Sequence, residues 1–321
     1  MRQHHRARLT VLDVSVPSIA TAPQQTRVRR RRRPSLAGYL FLLPWLAGFF
    51  GLTIGPALAS LYLSFTNYDL IGAPQFVGLA NYVRIMTADS KVADSVHVTL
   101  LYVAMSVPLK LGFALAIAMI LNKGIMGLPI YRALFYLPSL LGASVAIATL
   151  WRRVFAGDGL LNHVLLQFGV VGPSWVSDPN TALYTLVALS VWQFGSPMII
   201  FLAGLRQLPK DLYEAASLDG ATPRQQFWRI TLPILTPVIF FNMVVQTIDA
   251  FKAFTPAFII SGGSGGPINS TLFYTLYLYQ EAFGYLRMGY ASALAWLLVL
   301  AIVAVTAIAF VTERLWVHYD D

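Results

Sequence analysis

Gly204-Leu-Arg-Gln-Leu-Pro209-Lys-Asp-Leu-Tyr-Glu214-Ala-Ala-Ser-Leu-Asp219-Gly220-Ala-Thr-Pro223-Arg-Gln-Gln-Phe-Trp-Arg-Ile230-Thr-Leu-Pro233 is a polar interlude in a chain built mostly of long apolar runs. Its local chemistry predicts two short helices. Pro209 suits the first turn of one, with Asp211 and Glu214 near its positive end, and Gly220 suits its C-terminal stop. Thr222-Pro223-Arg224-Gln225 fits a capping box with proline at the first helical position. Pro233 is expected to end the second helix before the next apolar run. Ala215 and Ala216 place a small, flat patch on the first helix, flanked by Leu212, Tyr213 and Leu218. Such a helix suits a groove in a soluble partner; it equally suits a capped surface helix lying on a membrane.

The runs on either side decide the class. The chain is 57% hydrophobic and only 12% charged, about half the charged fraction of a soluble domain, which leaves too little polar surface to coat a globule in water. Six apolar segments follow one another near 37–65, 95–121, 130–152, 182–204, 234–260 and 289–312. Each is long enough to cross the hydrocarbon core as a helix, which takes about 20 residues. Prolines inside them (Pro44, Pro56, Pro108, Pro138, Pro197, Pro256) predict kinks that neighbouring helices can tolerate. The first run exceeds the roughly 7–15 residues of a signal-peptide core and is read as a span rather than a cleaved leader.

The charge pattern orients the bundle. The net charge is +9, concentrated in Arg27 and Arg29 to Arg33 just before the first span. A cluster there fits topology and anionic lipid rather than nucleic acid. With both termini in the cytoplasm, sixteen of the 23 Lys and Arg fall inside and five outside, as the positive-inside rule asks. Lys110 and Lys252 lie within spans. Residues 1–34 then form a disordered basic cytoplasmic tail, 35–316 a six-helix transmembrane domain, 205–232 its main cytoplasmic loop and 317–321 a short cytoplasmic tail. The glycine-rich Gly262-Gly-Ser-Gly-Gly266 reads as a flexible turn on the outside.

Chemistry is sparse. The absence of cysteine excludes disulfides and thiolate sites,. Five scattered histidines form no metal spacing, so no cofactor and no metal are expected. No G-x-x-x-x-G-K-[ST] motif is present to cradle ATP phosphates, so any ATP energy must come from another chain. Polar residues inside spans are candidates for a water-filled path. The fifth span has the densest set, with Asn242, Gln246, Thr247, Asp249 and Lys252. Gln246 and Asp249 are three apart and share a helix face, and Asp249 and Lys252 are spaced to pair. Trp192 and Gln193 of the fourth span offer an aromatic face and an amide for a sugar. The opposing reading is that Asp249 and Lys252 merely neutralise each other, with Trp192 a packing residue. A lone intramembrane carboxylate also suits a proton-coupled transporter, which gives no reason for the Glu214 loop.

Glu214-Ala-Ala, Asp219-Gly220-Ala221 and Ile230-Thr-Leu-Pro233 resemble the EAA loop of binding-protein-dependent ABC importer permeases. Leu40-Phe-Leu-Leu-Pro44, Phe76-Val-Gly-Leu-Ala-Asn-Tyr82, Tyr131-Arg-Ala-Leu-Phe-Tyr-Leu-Pro138, Leu202-Ala-Gly-Leu205, Gly265-Gly-Pro267 and Tyr290-Ala-Ser-Ala293 are similar to the carbohydrate branch, which includes maltose, glycerol-phosphate and multiple-sugar permeases. The resemblance runs from about residue 36 to the end, and the glycine turn at 262–266 is slightly longer than the family's usual one. It implies an all-α membrane protein with six transmembrane helices of the type I ABC importer permease fold, in a bacterial or archaeal cytoplasmic membrane. It implies ATPase coupling through Tyr213, Glu214, Ala215, Ala216, Asp219, Gly220 and Ala221. It also implies a sugar path lined by the fourth and fifth spans, at Trp192, Gln193, Gln246, Asp249 and Lys252. The partners it implies are a second homologous permease subunit, a dimer of cytoplasmic ATP-binding subunits and an extracytoplasmic sugar-binding protein.

Overall fold

The computed structural model describes residues 36–124, 127–142 and 144–318. The basic tail expected over 1–34 and the last three residues lie outside them. The described chain is mostly helical. It divides into two units, one ending at Thr53 and one beginning at Ile54.

The first unit holds α1 (Leu36–Gly48), which passes into a π-helical turn, Phe49–Ile54. Trp45 stacks on Phe49 at 5.2 Å, and Phe49 meets Phe50 edge-on.

The second unit begins with α2 (Gly55–Ser64) and a two-residue antiparallel ribbon, β1 (Thr66–Asn67) with β2 (Gln75–Phe76). The Asn81 amide of α3 (Ala80–Thr87) donates to the Ser64 and Thr66 carbonyls. The long α4 (Ser90–Asn122) is the hub, and it runs through Pro108 without a break. Its N-terminus is anchored at Asp89, whose side chain accepts from the Lys91 amide and, at 2.5 Å each, from the Tyr277 and Tyr290 hydroxyls. Burial alone would raise the Asp89 carboxyl, but these donors hold it below its ordinary range,.

Around α4 stand α5 (Leu128–Leu141), α6 (Val145–Val154), α7 (Leu160–Gln167), α8 (Ala182–Trp192) and α9 (Gly195–Leu205). The loop helices α10 (Lys210–Leu218) and α11 (Pro223–Gln226) precede α12 (Leu232–Phe251), α13 (Thr255–Ser261), α14 (Tyr274–Tyr279) and α15 (Met288–Glu313). Helix α4 packs on α8, α9 and α12; α15 packs on α2 and α12; α5 packs on α9. Ala114 and Ala118 are fully buried on α4; small residues let helices approach where the solvent gives no hydrophobic drive. Gly195 serves the same end, since a Cβ there would stand 2.5 Å from the Phe135 carbonyl oxygen of α5.

Four helical runs are long and apolar enough to cross a membrane: Leu40–Ser64, Ser90–Asn122, Pro223–Ser261 and Met288–Glu313. There are six if each of two bent pairs, α5 with α6 and α8 with α9, counts as one span. The bends are 95° and 43°, so the spans expected over 130–152 and 182–204, with kinks at Pro138 and Pro197, are each two helices meeting at a bend. The run expected over 234–260 is likewise interrupted between α12 and α13.

The loop corrects one further expectation. Pro233 does not end the second short helix. Helix α11 passes through a π-helical turn, Phe227–Thr231, directly into α12. There the Leu232 amide donates to the Phe227 carbonyl, five residues back. The wider turn shifts the register and leaves Pro233 in the first turn of α12, where its missing N–H goes unneeded,. In the 262–266 turn, Gly263 donates to the Phe258 carbonyl at 2.7 Å and accepts from the Gln280 amide at 2.7 Å.

Candidate functional site

Two places gather the chemistry. The first is a cavity of about 440 Å³ between α4, α5, α8, α9 and α12. It sits where three spans break, and the sequence supplies the breaks. A proline four residues on removes the amide that a carbonyl would have bonded and crowds that carbonyl. Pro197 does this to Gln193, and Pro256 to Lys252. The Gln193 carbonyl finds a side-chain partner instead. Ser139 of α5 donates to the Gln193 carbonyl at 3.0 Å and accepts from the Ser196 amide at 3.0 Å. One hydroxyl thus closes the end of α8 and the start of α9. The Gln193 amide donates to the Gly142 carbonyl at 3.2 Å, where α5 ends. The Thr275 hydroxyl donates to the Ala253 carbonyl at 2.5 Å, at the third break. Irregular backbone at membrane depth is tolerated where it lines a cavity.

Of the residues singled out in the sequence, Gln193, Gln246, Asp249 and Lys252 line this cavity together. Trp192 does not line it; its ring faces Trp151 at 6.0 Å, and the Trp151 indole donates to the Thr185 carbonyl. Gln246 is buried. Asp249 and Lys252 pair at 3.4 Å, and both side chains are more than half exposed to the cavity and its mouth. The cavity also exposes residues that the sequence reading gave no role: Lys110, Tyr102, Ser106, Ser139, Ser190 and Ser196. Lys110 had a signal, being a lysine inside an apolar run. The serines had none, because serine is common in membrane helices as packing and as a local hydrogen-bond donor.

The second place is the loop. Gly220 has φ +77°, donates to the Ser217 carbonyl at 3.1 Å, and is followed by Ala221, which donates to the Ala216 carbonyl at 2.9 Å. This paired closure of a helix end needs a left-handed residue, which favours glycine. Pro209 stands one position before the helix rather than within its first turn. The expected capping box is present: the Gln225 amide donates to the Thr222 hydroxyl, and Gln225 Oε1 accepts from the Thr222 amide at 2.8 Å. The Tyr213 hydroxyl meets the Thr231 hydroxyl at 2.9 Å, tying α10 to the π-helical turn at the head of α12. Glu214, Ala215, Asp219 and Gly220 are exposed. Ala216, Asp219, Gly220 and Ala221 border a cleft of about 350 Å³, and Tyr213 and Glu214 a second of about 650 Å³. Leu218 is 89% exposed beside them. Among the described residues no cluster of His, Asp and Glu has the form of a metal site.

A helical membrane protein whose spans break around one polar cavity has the form of a solute path. The chain belongs to the binding-protein-dependent transport system inner membrane component family, which it matches over residues 80–318. It is 53% identical over 301 residues to a probable ABC transporter permease protein, YesP, of Bacillus subtilis, covering 94% of this chain and 97% of that one. It is 30% identical to the lactose transport system permease protein LacF of Rhizobium radiobacter, covering 90% and 98%. Its fold matches a chain of the crystal structure of a bacterial alginate ABC transporter in complex with a periplasmic protein bound to an alginate pentasaccharide. The TM-score is 0.76 at 19% identity, covering 87% of this chain and 94% of that one. The protein is accordingly a multi-pass inner-membrane transport subunit and not an enzyme; ATP hydrolysis belongs to a separate subunit.

Proposed function

We propose that this chain is one of two permease subunits of an ATP-driven sugar importer. Residues 35–316 form the membrane domain, with six spans, both termini in the cytoplasm and the 205–232 loop on the cytoplasmic face. Relatives named for lactose, trehalose/maltose and sn-glycerol-3-phosphate transport support a sugar or sugar-like cargo. The partners are a second permease, a pair of ATP-binding subunits and an external sugar-binding protein. In the cavity, Gln246 and Asp249 bond sugar hydroxyls and Lys252 orients Asp249. Gln193 holds the helix breaks open beside them, and Trp192 supports Gln193 from behind.

The observation that carries the reading is helix α10. It is closed at its C-terminal end by Gly220, is tethered to the head of α12 through Tyr213, and presents the exposed Leu218 beside a small-residue face. A helix closed at its C-terminal end, tethered through Tyr213 and connected directly to a span that lines the cavity can pass a push from an ATPase to the cavity. Tyr213, Glu214, Ala215, Ala216, Asp219, Gly220 and Ala221 make that contact. The test is Gly220→Val in the complete transporter. A β-branched residue at φ +77° is strained, so α10 loses its closure; uptake should collapse while the chain still inserts. Uptake at the wild-type rate would rule the coupling role out.

A further inference from the structure

The cavity has an unbalanced charge. Its charged lining residues are Lys110, Lys252 and Asp249, two cations to one anion. Asp249 is in contact with Lys252 at 3.4 Å. Among the described residues no carboxylate lies within 4.0 Å of the Lys110 ammonium, and no hydrogen bond reaches it. Lys110 sits in the middle of α4, between apolar neighbours such as Val107 and Leu111, which are buried. A charge in that position is costly unless it faces water or a counter-charge. Ser106, one helical turn earlier, lines the same cavity, as do Ser139, Ser190 and Ser196 from α5, α8 and α9. A cavity lined by this ammonium and by serine hydroxyls suits a carboxylate or phosphate carried on a polyol better than it suits a neutral ring, which would leave the excess positive charge unbalanced.

We infer that the cargo is an anionic saccharide, a uronate or a sugar phosphate, and that Lys110 holds its charged group during passage. This rests on reading the cavity as the solute path. Gln246 and Asp249 then take the neutral hydroxyls, and the Asp249–Lys252 pair keeps that end of the cavity close to neutral. The arrangement is also selective: Asp249 is the one carboxylate lining the cavity and acts on both lysines, in contact with Lys252 and at longer range on Lys110, so a substrate with no negative group leaves one of two positive charges unbalanced, and such a penalty discriminates more sharply than a lost methylene contact.

The experiment uses the intact transporter, copurified through a tag on this chain, placed in liposomes and supplied with its external binding protein. Uptake is measured for a galacturonic acid disaccharide, for a sugar phosphate and for a neutral galactose disaccharide. One of the two anionic probes should be preferred over the neutral one, and which of them is preferred separates carboxylate from phosphate. Lys110→Met should lower uptake of that anionic cargo about tenfold or more, the usual scale for a hydrogen bond to a charged group. Lys110→Arg, which keeps the charge, should retain most of it. Should Lys110→Met insert poorly, Lys110→Gln, polar and of similar length, takes its place. Preference for the neutral probe, uptake of none of the three, or anionic uptake untouched by Lys110→Met would each overturn the inference. None of these results touches the permease reading, which falls instead if Gly220→Val transports at full rate.

Discussion

The α10–α11 loop and the cavity are built by opposite logic. In the loop every turn is closed by residues within a few positions of one another: Gly220 with Ser217, Ala221 with Ala216, Thr222 with Gln225. In the cavity the closures span the chain: Ser139 with Gln193 and Ser196, and Thr275 with Ala253. The loop's helix ends close locally, and one longer contact, Tyr213 with Thr231, ties it to the head of α12. The cavity is shaped only when several helices meet, so it can change shape when they move.

Four substitutions would break or sharpen that contrast. The largest effect should come from Ala216→Trp, which fills the cleft beside Gly220. Uptake should fall about 30-fold or more, as when a central interface residue is lost, with membrane levels unchanged by immunoblot. Normal uptake would mean that nothing docks there. Ser139→Ala comes next. It strands the Gln193 carbonyl and the Ser196 amide, and loss of a part-buried hydrogen bond costs about 1 kcal/mol,. The melting temperature in detergent should drop measurably; an unchanged value would show that the breaks are held by other contacts.

Asp249→Asn separates the two readings of the Asp249–Lys252 pair. The pair is more than half exposed, and exposed pairs contribute about 1 kcal/mol or less. Stability should therefore stay nearly constant while uptake falls about tenfold, the scale of one lost charged hydrogen bond. The reverse outcome, a large loss of stability with uptake intact, would make the pair purely structural. Thr222→Ala should have the smallest effect. It removes one helix cap, worth about 1 kcal/mol, and should speed hydrogen exchange only at the amides of α11. Exchange spreading to the Gln246 end of α12 would show that the loop and the cavity are less independent than their hydrogen bonds indicate.

Much of this was legible in the sequence because it depends on neighbours along the chain. Helix stops, the capping box and the apolar runs come from residues within one or two turns of each other, and four of the five residues picked for the cavity do line it. Single polar residues in apolar spans are conspicuous in a sequence, which is why Gln246, Asp249 and Lys252 stood out. What escaped depends on distance in the chain. Pro197 and Pro256 were legible as kinks, but not as breaks stabilised by Ser139 and Thr275, since those serve only after folding brings them close. Pro233 was misjudged because proline's local rule stops a helix, while a π-helical turn lets one continue.

The sequence by itself determined a membrane protein of helices and where its polar loop begins and ends. These follow from solvent transfer and from hydrogen bonds within a turn or two. Only the tertiary structure decided that the three breaks open on one cavity, that Trp192 turns away from it toward Trp151, and that Lys110 stands in it without a carboxylate in contact. Those facts depend on which helix faces reach one another, and no spacing along a single chain encodes that on its own.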